Sequence, residues 1–266
     1  HCPPTVPLTR RPPTHCPPTV PLTRRPPTHC PPTVPLTRRP PTHCPPIVPL
    51  TRRVPLTNKT FHNAIQLWLY DKDSAVMIYG HIHEWDVSRV TNMGFAFAKA
   101  KSFNGDLSQW DVSRVTNMES MFSHAESFNG DLSHWDVSRV TNMESMFCEA
   151  RSFNGDLSNW DTSNVNNMES MFSFATSFNR DISNWDISSV TNMGFMFEYA
   201  RSFNGDLSQW VVGNVTDMKY MFSSAESFNQ DISNWNVSKV SSMSEMFKNA
   251  RSFVIDLTQI GRASCR

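Results

Sequence analysis

WDVSRVTNMESMFSHAESFNGDLSH, residues 110–134, is the stretch that decides how this chain folds. Trp135 opens a second copy of it. Tryptophans recur at Trp85, Trp110, Trp135, Trp160, Trp185, Trp210 and Trp235, one every 25 residues, until Ile260 breaks the series. Self-similarity at a fixed period of about 20–50 residues marks a stacked repeat, in which each unit contacts only its neighbours.

Two periodicities alternate inside the unit. Val115, Met118, Met121, Phe122 and Ala125 are spaced like one face of a helix of about two to three turns. Thr116 and Glu119 fit a capping box, as do Thr141 and Glu144; Gly94, Gly194 and Lys219 replace the Glu elsewhere and predict shorter or 3-10 helices there. Phe128-Asn129-Gly130 follows as a turn signal, because Asn and Gly tolerate positive φ. Asn104, Asn129, Asn154, Asn179, Asn204 and Asn229 occupy that turn position, and Val254 ends the row. Such a row is either a ligand contact or an internal ladder serving the turn backbone of adjacent coils, and the ladder is the preferred reading. Trp135 and Val137 then alternate with polar residues, as in a strand with one buried face. The expected fold is an α/β repeat solenoid of seven coils over 85–259, each with a short parallel strand and a short helix. A lone coil buries too little to offset its ordering entropy, so stacking must supply the rest.

Outward from the repeats, residues 57–84 carry Phe61, Ala64, Ile65, Leu67, Trp68 and Leu69 in helical spacing, with Thr60 as expected N-cap and Gly80 as terminator. This segment reads as the N-terminal helical cap that a stack requires. His81, His83 and Glu84 could gather a metal, but two His near an acid at a junction read as solvated loop residues. Residues 1–56 are four near-copies of HCPPTVPLTRRPPT, in which five of 14 residues are Pro, and read as a disordered Pro/Arg-rich tract. A metal site at its His-Cys pairs and a ligand for proline-reading domains are weaker readings. Residues 260–266, IGRASCR, resemble translated adapter sequence and are read as a non-native tail. The chain starts with His, so it is read as a fragment, truncated at its C-terminal side as well.

The net charge of zero is a cancellation. Residues 1–53 hold eight Arg and no acid, whereas 85–260 hold 12 basic and 21 acidic side chains. The acidic repeat body argues against nucleic acid and anionic membrane as partners. Four of the six Cys lie in the N-terminal tract, so there is no disulfide framework, and Cys148 reads as a free thiol. No apolar run is long enough to span a membrane.

The pattern WDVSxVTNMxxMFxxAxSFNxDLSx resembles the BspA-like leucine-rich-repeat surface proteins, including the mycoplasma-type lipoprotein repeat catalogued as domain of unknown function 285. The resemblance covers residues 61–259. It implies a leucine-rich-repeat-like solenoid, an extracellular or cell-surface location and a role in adhesion or partner binding; it brings no catalytic residues and no cofactor.

The neighbours of Trp and Val point outward in columns. Gln109, His134, Asn159 and Asn184 form one, and Asp111, Asp136, Asp161 and Asp186 the next; together they are the candidate ligand face. Amides and carboxylates suit a protein or glycan partner. A second column, Asp106, Asp131, Asp156, Asp181, Asp206, Asp231 and Asp256, is either bridged by calcium or held by local amides and Ser. Asn58, Asn214 and Asn236 open candidate N-glycosylation sequons. Enzymatic function is not expected, because identical columns do not make one special pocket. The expected function is a non-enzymatic surface binding or adhesion module, the alternative a structural spacer without a specific ligand.

Overall fold

The computed structural model describes residues 55–254, all within the unit Leu50–Arg266. Residues 1–54 of the N-terminal tract and the residues from 255 onward, including the expected tail and the Asp256 position, lie outside the described residues; Leu56, expected at the end of the tract, is buried and its N–H donates to Asp86 O at 2.8 Å.

The first element, α1 (Asn58–Tyr70), begins earlier than Thr60 suggested. Thr57 is the N-cap, and its N–H donates to the Thr60 hydroxyl at 2.8 Å. Phe61, Ala64 and Ile65 are buried, as the helical spacing predicts. The next helix, α2 (Lys72–Tyr79), is capped by Asp71, whose carboxylate accepts from Ser74 N–H at 3.2 Å and Ser74 Oγ at 2.6 Å. Gly80 ends it at φ 78°, a conformation that would strain a residue with a Cβ. A 3-10 turn, Ile82–Glu84, leads into the first coil.

The repeats correct the expected fold. Among the described residues there is no β-strand, and the only helices precede Trp85. The repeat region is therefore not an α/β solenoid with parallel strands and helices, nor a leucine-rich-repeat solenoid. It is a stack of turn-built coils. Single parallel bridges join each coil to the next through Asn92, Asn117, Asn142, Asn167, Asn192, Asp217 and Ser242.

The physical reason lies in where the backbone hydrogen bonds go. In the stretch expected to be helical, alternate N–H groups serve two different partners. Those of Met121, Ser123 and Ala125 close turns on Met118, Ser120 and Phe122. Those of Met118, Ser120, Phe122 and His124 donate to carbonyls of the following coil, at Asn142, Glu144, Met146 and Cys148, over 2.7–2.9 Å. Ser120 (φ 52°) and His124 (φ 58°) are left-handed, which no α-helix accommodates. The capping box does not form either. Glu119 N–H goes to Asn117 Oδ1 at 3.0 Å, and Thr116 Oγ1 to Thr91 O at 3.2 Å.

Two left-handed non-glycine residues recur in every coil, from Phe95 and Lys99 to Glu245 and Asn249. They cost roughly 2–4 kcal/mol per coil. The four hydrogen bonds that this turn row donates to the next coil, each worth about 0.5–1.5 kcal/mol net, offset that.

The expected strand keeps its alternation of buried and exposed residues but not its pairing. Trp110 and Val112 are buried and Asp111 is exposed. Ser113 N–H turns back to Asp111 Oδ1 at 3.1 Å instead of reaching a neighbouring coil. Such local side-chain acceptors compete with a ladder. The Asn-Gly signal fails in a similar way. Among the described glycines only Gly80 has positive φ. Gly130 instead gives room to a ring, since a Cβ there would meet Phe128 Cε2 at 3.0 Å.

Three aromatic columns run through the core, with Val, Met, Ala and Leu or Ile packed between them. Phe122 stacks on Phe147 at 5.6 Å, Phe128 on Phe153 at 5.9 Å, and Trp110 on Trp135 at 6.5 Å. From Trp110 to Trp235 the indole N–H is satisfied inside the stack, as when Trp135 Nε1 donates to Leu107 O at 3.1 Å, whereas Trp85 Nε1 donates to Gly80 O at 3.0 Å. Thr162, buried where other coils carry Val or Ile, donates its hydroxyl to Asp186 O at 2.9 Å. The cap joins the same core. Phe61 meets Trp110 edge-on at 5.6 Å, and Asn58 Oδ1 accepts from Thr91 N–H at 2.8 Å.

Candidate functional site

The outward columns hold the positions expected of them. Gln109, His134, Asn159 and Asn184 are exposed, and so are Asp111, Asp136, Asp161 and Asp186. They lie on one face because the intervening Trp and Val are anchored in the core. The carboxylates are not idle. Asp111 and Asp161 each accept a Ser hydroxyl at 2.6 Å, from Ser113 and Ser163. The Ser138 and Ser188 hydroxyls, followed by their backbone N–H groups, hold the Asp136 and Asp186 carboxyls below the usual range. Each Asp therefore keeps one oxygen turned to its own coil.

The second Asp column is held in the same manner. Asp131 Oδ1 accepts from Ser133 N–H at 2.9 Å, and this backbone bond lowers its pKa, with the Ser133 side chain second. Asp106, Asp156, Asp181 and Asp231 are lowered by the equivalent Ser. His81 and His83 stack ring on ring at 5.8 Å. No group of three metal-ligating side chains converges among the described residues.

The Asn row forms an internal ladder. Asn129 N–H donates to Asn104 Oδ1 at 2.9 Å, Asn154 N–H to Asn129 Oδ1 at 2.8 Å, and the pattern continues to Val254. Two sequon residues are also occupied. Asn58 Nδ2 donates to Thr91 Oγ1 at 2.9 Å, and Asn214 Nδ2 to Ser188 O at 2.8 Å. Asn236 uses only its oxygen, accepting from Ser238 N–H at 3.2 Å.

A second face escaped the reading of columns. Along the turn row the coils differ from one another. Phe174 stacks on Tyr199 at 4.5 Å and Phe195 on Tyr220 at 5.1 Å, all four at left-handed, partly exposed positions. Lys219 lies 5.2 Å from the Phe195 ring and pairs with Asp217 at 3.2 Å and Glu169 at 3.5 Å. Burial, with Glu119 and Glu169 above and below, pushes the Glu144 carboxyl up, and burial alone raises Glu198. Burial also pushes the Cys148 thiol up to about 11, as expected of an unreactive packing residue. The available signal was divergence between copies at a fixed position, which a search for repetition passes over.

The family described as "Mycoplasma protein of unknown function, DUF285" matches the chain twice, over residues 67–184 and 156–260. Together these matches cover nearly three quarters of the sequence. No curated protein matches. No helix among the described residues is long and apolar enough to cross a membrane.

Proposed function

The chain belongs to the DUF285 family of Mycoplasma proteins of unknown function, and from that premise we propose that it is a non-enzymatic binding or adhesion module at a cell surface or outside the cell. The observation that carries this reading is the candidate ligand face. Exposed amides and carboxylates repeat in fixed register on a scaffold whose every coil is fastened to the next by backbone bonds. A surface held that rigidly loses little conformational entropy when it meets a partner of matching spacing. The resemblance to BspA-like surface proteins supports the location and the class of partner, a protein or a glycan; their leucine-rich-repeat architecture is not carried over.

Glycan and surface-protein arrays test the proposal. Saturable binding that is lost in Asp111→Ala, Asp136→Ala and Asp161→Ala variants is the expected result. Silence across both arrays would leave the second reading, a structural spacer. That reading draws on the Ser hydroxyls already bound to Asp111 and Asp161.

A further inference from the structure

The first coil breaks the repeat where it meets the cap. A surface groove of about 720 Å³ lies between the end of α1 and the turn row of that coil. Its lining includes Trp68, Tyr70, Lys72, Lys99, Lys101 and Asn104. The volume falls within the range of small-ligand clefts, roughly 300–1,000 Å³.

Three lysines and no acid line the groove. The contrast with the rest of the repeats is sharp, since 85–260 hold 21 acidic against 12 basic side chains. Lys99 belongs to this coil alone, with His124, Glu149, Phe174 and Tyr199 among its equivalents, and it stands two residues before a second lysine; the Lys101 position is also basic at Arg151, Arg201 and Arg251. Lys101 pairs with Glu126 at 2.9 Å while its side chain stays 72% exposed. Lys72 leans over the Trp68 ring, 4.9 Å from its centroid. Asn104 spends its amide oxygen on Asn129 N–H at 2.9 Å, which leaves its NH2 to donate elsewhere.

We propose that this groove binds an anionic saccharide, one bearing carboxylate or sulfate groups. Lysines meet the anionic groups, the Asn104 NH2 and the Gln66 amide meet hydroxyls, and the exposed Tyr70 offers ring surface to the apolar face of a sugar, while Trp68 holds Lys72 in place. The surrounding acidic body repels anions, so an anionic chain is favoured in the groove and disfavoured beside it. This rests on the reading of the protein as a binding module but uses none of the outer-column residues.

The test titrates the full chain with four probes: a galacturonic acid hexamer, a sulfated hexasaccharide, neutral maltohexaose and hexaglutamate. Expected is binding of one or both anionic saccharides that weakens with added salt, and none of maltohexaose or hexaglutamate. Lys72→Glu and Lys99→Glu should each weaken it about tenfold, the loss of one charge-assisted contact, with the thermal midpoint kept. Arg251→Glu, an equal charge reversal at an exposed position of the last described coil, should leave it unchanged. Equal binding of maltohexaose or of hexaglutamate, or lysine variants that bind like the parent, would overturn the proposal. No binding of either anionic saccharide, with the arrays still positive, would overturn the groove alone; silence in both would remove the binding-module reading as well.

Discussion

Ser145→Gly puts the turn-built coil to its sharpest test, because a helix and a turn row give opposite signs. Ser145 sits at φ 54°, and its N–H reaches Glu169 O at 2.8 Å. A left-handed residue with a Cβ costs roughly 1–2 kcal/mol. Glycine removes that cost but gives back part of it, about 0.4–1 kcal/mol, through the greater freedom of the unfolded chain. The net gain should be about 0.5–1 kcal/mol, or roughly 1–4 °C in thermal midpoint for a chain of this size. In a helix the same change would cost several tenths of a kcal/mol, and Ser145→Ala would instead stabilise. Circular dichroism melts of the parent, Ser145→Gly and Ser145→Ala decide the matter. The expected order of midpoints is Gly above Ser, with Ala no higher than Ser. Ala above Ser above Gly would refute the left-handed turn row.

Trp160→Phe keeps a ring in the column but strands the Leu132 carbonyl that Nε1 contacts at 3.1 Å; denaturant melts should show a loss of about 1–3 kcal/mol, and Trp160→Ala about 3–5 kcal/mol. Glu144→Gln should raise the thermal midpoint at neutral pH. The folded-state pKa of Glu144 is raised, so the parent is penalised above that pKa; the advantage of Gln should fade as pH falls toward 4.5. Asp131, Asp156 and Asp181 have lowered values, so their contribution is present above the ordinary 3.8 and is lost as pH falls through the folded-state pKa; Asp156→Asn should flatten the acid limb of a stability–pH curve. Secretion from a eukaryotic host followed by peptide mass spectrometry should find glycan at Asn236 in preference to Asn58, whose Nδ2 is bound to Thr91 Oγ1.

Much of the core could be read from the letters. Val115, Met118, Met121, Phe122 and Ala125 are all buried, as their spacing required. So are Trp135 and Val137, with Asp136 exposed between them. What the spacing could not convey was secondary structure, because a row of overlapping turns places side chains on one side much as a helix does. The deciding residues were Asn117 and Asp111, whose side-chain oxygens capture the N–H groups of Glu119 and Ser113. Their Asx turns displaced the capping box and the strand pairing. The candidate face was legible as a set of exposed columns. The lysine groove was not, since it needs α1 folded against the first coil, a contact between residues some 30 positions apart such as Asn58 and Thr91.

The three ladders also constrain how such a gene can change length. Each indole from Trp110 to Trp235 reaches a carbonyl 28 residues back, each Asn amide oxygen an N–H 25 residues ahead, and each inter-coil N–H of the turn row a carbonyl 24 residues ahead. A duplication or deletion of one whole copy leaves all three offsets intact at every remaining junction. One inserted or lost residue within a copy shifts all three at once. Variation in length should therefore come in steps of a full copy, while substitutions at the outward left-handed positions, already filled by Ser, His, Glu, Phe, Tyr, Lys and Asn, leave the register untouched.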